Sequence, residues 1–236
     1  MTRWSMAAFA LLLPAAALAN GMVTGTVRAD RRPGQLSPIK ISKDAAVCGR
    51  EAAREELRVG PGGGLANVVV SIVDLKPDQR PPPTAGAGVR QIGCRFVPHV
   101  QAATVGSVLQ LLNQDAVLHN VHATRGTAGS RTTVFNVAMP LKGQTLPAVL
   151  DRPGTLKLRC DAGHAWMSAW VHVFDHPHFA VTDEKGHFAI PDVPPGKHTL
   201  LYWHEALTDG QPPLTISATV EVIDRKTAVS DATIAF

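Results

Sequence analysis

Four side chains able to bind a metal occur in a telling order. His119 comes first, followed by Cys160, His164 and Met167 inside one stretch, Cys160-Asp161-Ala162-Gly163-His164-Ala165-Trp166-Met167. The spacing Cys-x3-His-x2-Met lets a single tight loop offer a thiolate, an imidazole and a thioether from three directions. The second imidazole must then come from a separate segment. One thiolate and two imidazoles near a trigonal plane, with a distant thioether on the axis, suit copper, because soft sulfur ligands favour Cu(I) and imidazole suits both oxidation states. Zinc is the competitor, since Cys and two His also bind it; Met167 favours copper. A lone His is ordinarily structural and a lone Met ordinarily core. Four such residues in this order carry the reading.

Other histidines surround this set. His122 lies three residues beyond His119, so a strand starting there turns it to the opposite face, where it lines the site from behind or meets solvent. His99 follows Phe96-Val97-Pro98 and could lie near the metal loops. As a further ligand it would make the centre catalytic or of a red-copper type. His172, His176 and His178 cluster where a hydrophilic linker would account for them. Trp166 and Trp170 read as packing residues rather than electron relays. His204-Glu205 is one adjacent pair, which does not make a catalytic site.

The elements that must position these groups read as all-β. Runs rich in Val, Thr and Leu recur between Gly and Pro punctuation: Met22–Val27, Ala66–Val73, Ser107–Leu112, Thr132–Ala138, Thr155–Arg159 and Trp170–Phe174. Only Asp44–Leu57 suggests a helical turn or short helix. Lys76 to Gly88, with four prolines and two glycines, cannot continue a strand ladder and reads as a linker. A second break falls near Asp175-His176-Pro177-His178. The block between the breaks is the size of a small barrel, and the flanks look like two halves of another unit.

The start of the chain indicates export. Arg3 precedes an apolar run, Ala7 to Leu18, that ends in Ala17-Leu18-Ala19, so cleavage is expected after Ala19. The run is shorter than the roughly 20 apolar residues that span a bilayer, and no later segment is long enough. An uncleaved anchor is the alternative. Of 236 residues, 217 would remain, with the formal charge of +4 reduced to +3 by loss of Arg3. So small and dispersed a charge, with one Tyr and seven Phe, argues against nucleic-acid binding. No zinc-protease motif, Gly-x-Ser-x-Gly elbow or phosphate-binding loop is present. Three cysteines in an oxidising compartment allow three pairings and leave one thiol over.

Phe96/Pro98, Gly106, Asn113/Asp115, His119-Asn120-Val121 and Cys160/His164/Met167 together resemble the cupredoxin (plastocyanin-like) family over roughly Gln91 to Phe174. The resemblance implies a Greek-key barrel and one mononuclear copper. His119, Cys160 and His164 would be equatorial ligands and Met167 axial, with Asn120 behind them holding the ligand loops together. The common short loops of the family place two residues between Cys and His; here there are three. With Cys160 a candidate ligand, Cys48 is left to pair with Cys94.

Thr182-Asp183-Glu184-Lys185-Gly186-His187-Phe188-Ala189-Ile190 and Pro194-Pro195-Gly196 resemble a carboxypeptidase regulatory-like (transthyretin-like) β-sandwich. Its opening strands match Gly25-Thr26-Val27 and Asn67-Val68-Val69-Val70. The expected organisation is a signal peptide over 1–19 and a discontinuous sandwich over 20–80 and 177–236. A Pro/Gly linker over 81–90 and the copper barrel over 91–176 complete it. Segments packed in sequence order are the alternative. The combination also resembles exported bacterial proteins often labelled methylamine-utilisation proteins. A periplasmic one-electron carrier is therefore expected, exchanging electrons with a c-type cytochrome or a dehydrogenase rather than acting as an enzyme. Alternatives are a redox enzyme, a copper-binding or assembly factor, and a metal-free structural module.

Overall fold

The protein is described by a computed structural model over residues 19–30, 36–78, 81–127, 129–208 and 211–236. The expected leader, apart from Ala19 itself, lies outside these residues. The fold is all-β, with one four-residue helix, Ala45–Cys48, among the described residues. None of their helices is long and apolar enough to cross a membrane.

Apart from the two-stranded hairpin of Ile39–Lys40 and Glu51–Ala52, the described strands fall into two pairs of sheets. In the middle of the chain, a five-stranded sheet takes the order Ser130–Met139, His119–Thr127, Gly154–Arg159, Ser168–Phe174, Val100–Thr104. A four-stranded sheet faces it, in the order Thr145–Val149, Val108–Asn113, Gly88–Gln91, Phe96–Val97. The chain crosses repeatedly between the two. Alternation along each strand sends one set of side chains inward. Val89, Phe96, Leu109 and Leu111 of one sheet therefore meet Val121, Ala123, Leu156, Leu158 and Val171 of the other in a single buried core.

The second pair of sheets draws its strands from both ends of the chain. Gly21–Ala29 pairs antiparallel with His187–Val193 and parallel with Thr227–Val229 and Ala232–Ile234. Opposite it stand Phe179–Val181, Val69–Ile72, Gly196–His204 and Leu214–Val222. Their core contains Val23, Val27, Val70, Ile72, Ile190, Leu200 and Tyr202. The Tyr202 hydroxyl is satisfied inside it by Ser230.

The two units touch through a third cluster, Val69, Val100 and Trp203, with Trp170, Phe174 and Val181 packed around them. This contact corrects the solvated-linker reading of the histidines. His172 is buried in the strand Ser168–Phe174, edge-on to Trp203 with ring centroids 4.3 Å apart. Burial holds its pKa down to about 3. His176 is buried too, and its ring lies 5.3 Å from that of Phe174. A sheet of one unit lies directly on a sheet of the other here, so these rings fill an interface.

The Pro-rich stretch is likewise packed down. The Thr104 hydroxyl donates to the Pro82 carbonyl at 2.6 Å, and the Thr84 amide donates to the Ser107 hydroxyl at 2.8 Å. Strand pairing has begun by Gly88, which lies opposite Gln110.

Candidate metal centre

The strand His119–Thr127 starts with His119 pointing into the core, and the loop after Gly154–Arg159 carries Cys160 and His164 to the same end. His119, Cys160 and His164 each place a ligand atom within 4.8 Å of the others, and all three are buried. The Nδ1 atoms of His119 and His164 face each other at 3.1 Å, and Cys160 Sγ lies 3.6 Å from His164 Nδ1. Met167 is buried in the same core, and its amide donates to the His164 carbonyl at 2.9 Å, closing the loop into a turn.

The far side of each imidazole is held by a carboxylate. His119 Nε2 lies 2.9 Å from Asp115 Oδ2, and His164 Nε2 lies 2.8 Å from Asp44 Oδ2. An ionised carboxylate only accepts hydrogen bonds, so each imidazole donates its Nε2–H outward. A neutral imidazole held in this way turns the lone pair of Nδ1 inward. Two such lone pairs and a sulfur, converging in a buried cluster, form a donor set of the kind that binds a soft or borderline cation. Carboxylate–histidine pairs of this kind fix tautomer and ring orientation at metal sites. The residues therefore fit the group that their chemistry implies.

Asp115 is itself anchored by the amides of Gly93 and Cys94, each at 2.8 Å. Burial keeps the His119 pKa below the usual histidine value, against the opposing pull of Asp115. Burial also pushes the Cys160 thiol up, although the amides of Ala162, Asn120 and His164 act to lower it. A metal ion would supply the positive charge that this sulfur lacks.

Asn120 faces outward from the same strand and pins the ligand loop. Its Oδ1 accepts the Asp161 amide at 3.1 Å, while its Nδ2 donates to Asn136 and to the Val137 carbonyl. Asn120→Ala should thus leave every ligand in place while freeing the turn at Cys160. Weakening of metal affinity by about 10–100-fold is expected, and competition titration against a chelator would measure it.

His122 faces away from the cluster. Its Nδ1 meets Asp161 at 2.6 Å and its Nε2 meets Thr133 at 2.8 Å. His99 also lies apart. Its Nδ1 donates to the Ser168 carbonyl at 3.0 Å, and its Nε2 contacts Glu205 Oε1, so both ring nitrogens are taken. Trp166 Nε1 donates to the Cys94 carbonyl at 3.0 Å, with its ring 5.2 Å from that of His164. Trp170 Nε1 donates to Glu205 Oε2 at 2.8 Å.

The free thiol is Cys160, and Cys48 and Cys94 are bonded to each other. Cys94 lies beside the centre, with ligand-type atoms of Cys94, Asp115 and His119 also within 4.8 Å of one another. Reading the sequence assigned roles to neither Asp44 nor Glu205. Asp44 precedes the short helix as an ordinary polar residue, and only its contact across the fold reveals it.

No protein-family model matches the chain, and neither does any curated protein. Solved structures similar to it include a purple cupredoxin from Nitrosopumilus maritimus, at 24% identity over 37% of this chain and 98% of that one, with a TM-score of 0.32. The oxidised state of an amicyanin variant is 24% identical over 44% of this chain and 97% of that one, with a TM-score of 0.32. A copper-containing nitrite reductase from Thermus scotoductus is 19% identical over 43% of this chain and 24% of that one, with a TM-score of 0.31.

Proposed function

We propose that the protein is an exported, periplasmic electron carrier with one mononuclear copper in a cupredoxin-like barrel. His119, Cys160 and His164 are its equatorial ligands and Met167 its axial one. The observation that carries this reading is the convergence of two inward Nδ1 atoms and one buried sulfur, with both outer Nε2–H groups tied to carboxylates. Copper bound there supplies a one-electron couple. The chain's own residues hold the donors in one arrangement and exclude water, so little reorganisation accompanies a change of charge.

Burial also favours electron transfer over substrate chemistry. His119 and His164 are fully buried and Cys160 is 5% exposed, which leaves no approach for a substrate to the donor cluster. His99 is engaged by Ser168 and Glu205, so its geometry lends nothing to a centre with a third protein nitrogen. The flanking sheets serve as a discontinuous sandwich of the carboxypeptidase regulatory-like type, and the partner is a c-type cytochrome or a periplasmic dehydrogenase. Film voltammetry of the copper-loaded protein tests the reading. A reversible one-electron wave with one copper per chain is expected, and an irreversible response that grows on adding small-molecule ligands would instead indicate an enzyme.

A further inference from the structure

The donor cluster is not made by the barrel alone. Residues 39–52 form a strap: a two-stranded hairpin, Ile39–Lys40 against Glu51–Ala52, with the turn of helix Ala45–Cys48 at its tip. This strap lies outside the stretch whose sequence marks the metal centre, yet it docks on the barrel at four points, two of them in the ligand loop. Asp44 Oδ2 accepts from His164 Nε2 at 2.8 Å. Lys43 Nζ donates to the Ala162 carbonyl at 2.6 Å. Ile41 packs against the barrel core, and Cys48 is bonded to Cys94. Trp166 of the ligand loop closes the circuit by donating to the Cys94 carbonyl.

The ligand loop is shaped to receive the strap. Gly163, the last of the three residues between Cys160 and His164, has φ +93°, and a Cβ there would meet Lys43 Cδ at 2.8 Å. Asp44 in turn sits in the left-handed region, at φ 54° and ψ 34°, a conformation that a short polar side chain tolerates better than most. His164 is fully buried while the Asp44 side chain is 34% exposed, so the Asp44 carboxylate links the buried His164 Nε2 to the surface.

We infer that Asp44 is a positioning residue of the metal centre, delivered by a strap from outside the barrel and locked over His164 by the Cys48–Cys94 disulfide. Its carboxylate takes the Nε2–H of His164, which orients the ring with Nδ1 inward. The disulfide keeps Asp44 within reach, so reducing it loosens the centre without touching a ligand. The inference rests on the copper reading only for what His164 is held ready to bind.

The test uses full-length protein without metal. Nitrogen-15 NMR of the histidine rings should show two slowly exchanging Nε2–H protons, one from His119 and one from His164. Asp44→Ala should remove the His164 signal and spare that of His119, which Asp115 holds. Asp44→Asn, whose amide oxygen still accepts, should retain it. Cys48→Ser with Cys94→Ser should raise the exchange rate of the His164 proton with Asp44 intact, and this double variant carries the test if Asp44→Ala does not fold. After copper loading, Asp44→Ala should hold the metal about 10–100-fold more weakly in competition with a chelator, the scale seen when outer partners of metal ligands are lost. A protected His164 proton and unchanged metal affinity in Asp44→Ala would overturn the role of Asp44. Unchanged exchange in the double cysteine variant would overturn the lock. Because the ring protons are read without metal, wild-type protein that shows both signals but binds no copper would remove the functional proposal and leave this one standing.

Discussion

Cys160→Ser is expected to abolish the visible absorption of the copper-loaded protein and to weaken copper binding by more than the roughly 10–100-fold that follows loss of an outer partner. The reason lies in the donor set. Cys160 is the free cysteine, is buried, and supplies the sulfur that converges with the two Nδ1 atoms. A serine hydroxyl is a harder, weaker donor that copper does not favour, and it gives no thiolate-to-copper charge transfer. Burial holds the Cys160 thiol protonated above its ordinary value, whereas burial keeps His119 neutral. Loading one copper ion near neutral pH should thus release about one proton, chiefly from the thiol. Absorption spectra and proton release, measured on wild type and variant together, check both statements. Met167→Ala should shift the band rather than remove it, which separates an axial ligand from an equatorial one. A wild type that takes up stoichiometric zinc and stays colourless with Cu(II) would remove copper from the account.

Glu205→Ala should destabilise the whole chain by about 3–5 kcal/mol, the range for breaking one half of a buried ion pair. Glu205 is 6% exposed at the junction of the two units, where one oxygen contacts His99 Nε2 and the other accepts from Trp170. Removing it leaves the buried His99 Nε2 and the Trp170 indole N–H without the partner each has in Glu205. Burial opposes the charge on His99, but Glu205 and Glu55 outweigh it and raise the His99 pKa above 6.5. Burial opposes the charge on Glu205 as well, but His99 outweighs it and lowers the Glu205 pKa below 4.5.

The pH dependence follows by linkage. The His99 contribution is complete below pH 6.5 and is lost as pH rises through the raised folded value. The Glu205 contribution is complete above pH 4.5 and is lost as pH falls through the lowered one. The pair therefore stabilises most between these limits. Melting of the wild type should decline on the alkaline side of this window, and Glu205→Ala should flatten that decline. Urea unfolding at pH 5.5 and pH 9 measures the difference, and equal losses at the two values would remove the ion pair from the explanation. His99 also accepts this task at the expense of any other, since its Nδ1 holds the Ser168 carbonyl next to Met167.

What the sequence determined by itself is mostly local. Alternating apolar runs bounded by Gly and Pro mark strands because strand side chains alternate faces over a period of two. The runs Met22–Val27, Thr155–Arg159 and Trp170–Phe174 all lie inside observed strands. The donor-type side chains of the loop Cys160–Met167 are legible because residues this close in one loop can come together wherever the loop sits, and Cys160 and His164 do so. The pairing of Cys48 with Cys94 followed once Cys160 was set aside for a metal.

What only the tertiary structure decided are partners without local periodicity. Asp44 meets His164 across 120 residues of chain, and Glu205 meets His99 across 106. An isolated carboxylate looks alike in sequence whether it faces water or an imidazole. His172 and His176 were misread on the same ground, since their burial depends on a sheet contributed by the far ends of the chain. Local spacing encodes which atoms can bind a metal, and the packing of distant segments decides which carboxylates orient them.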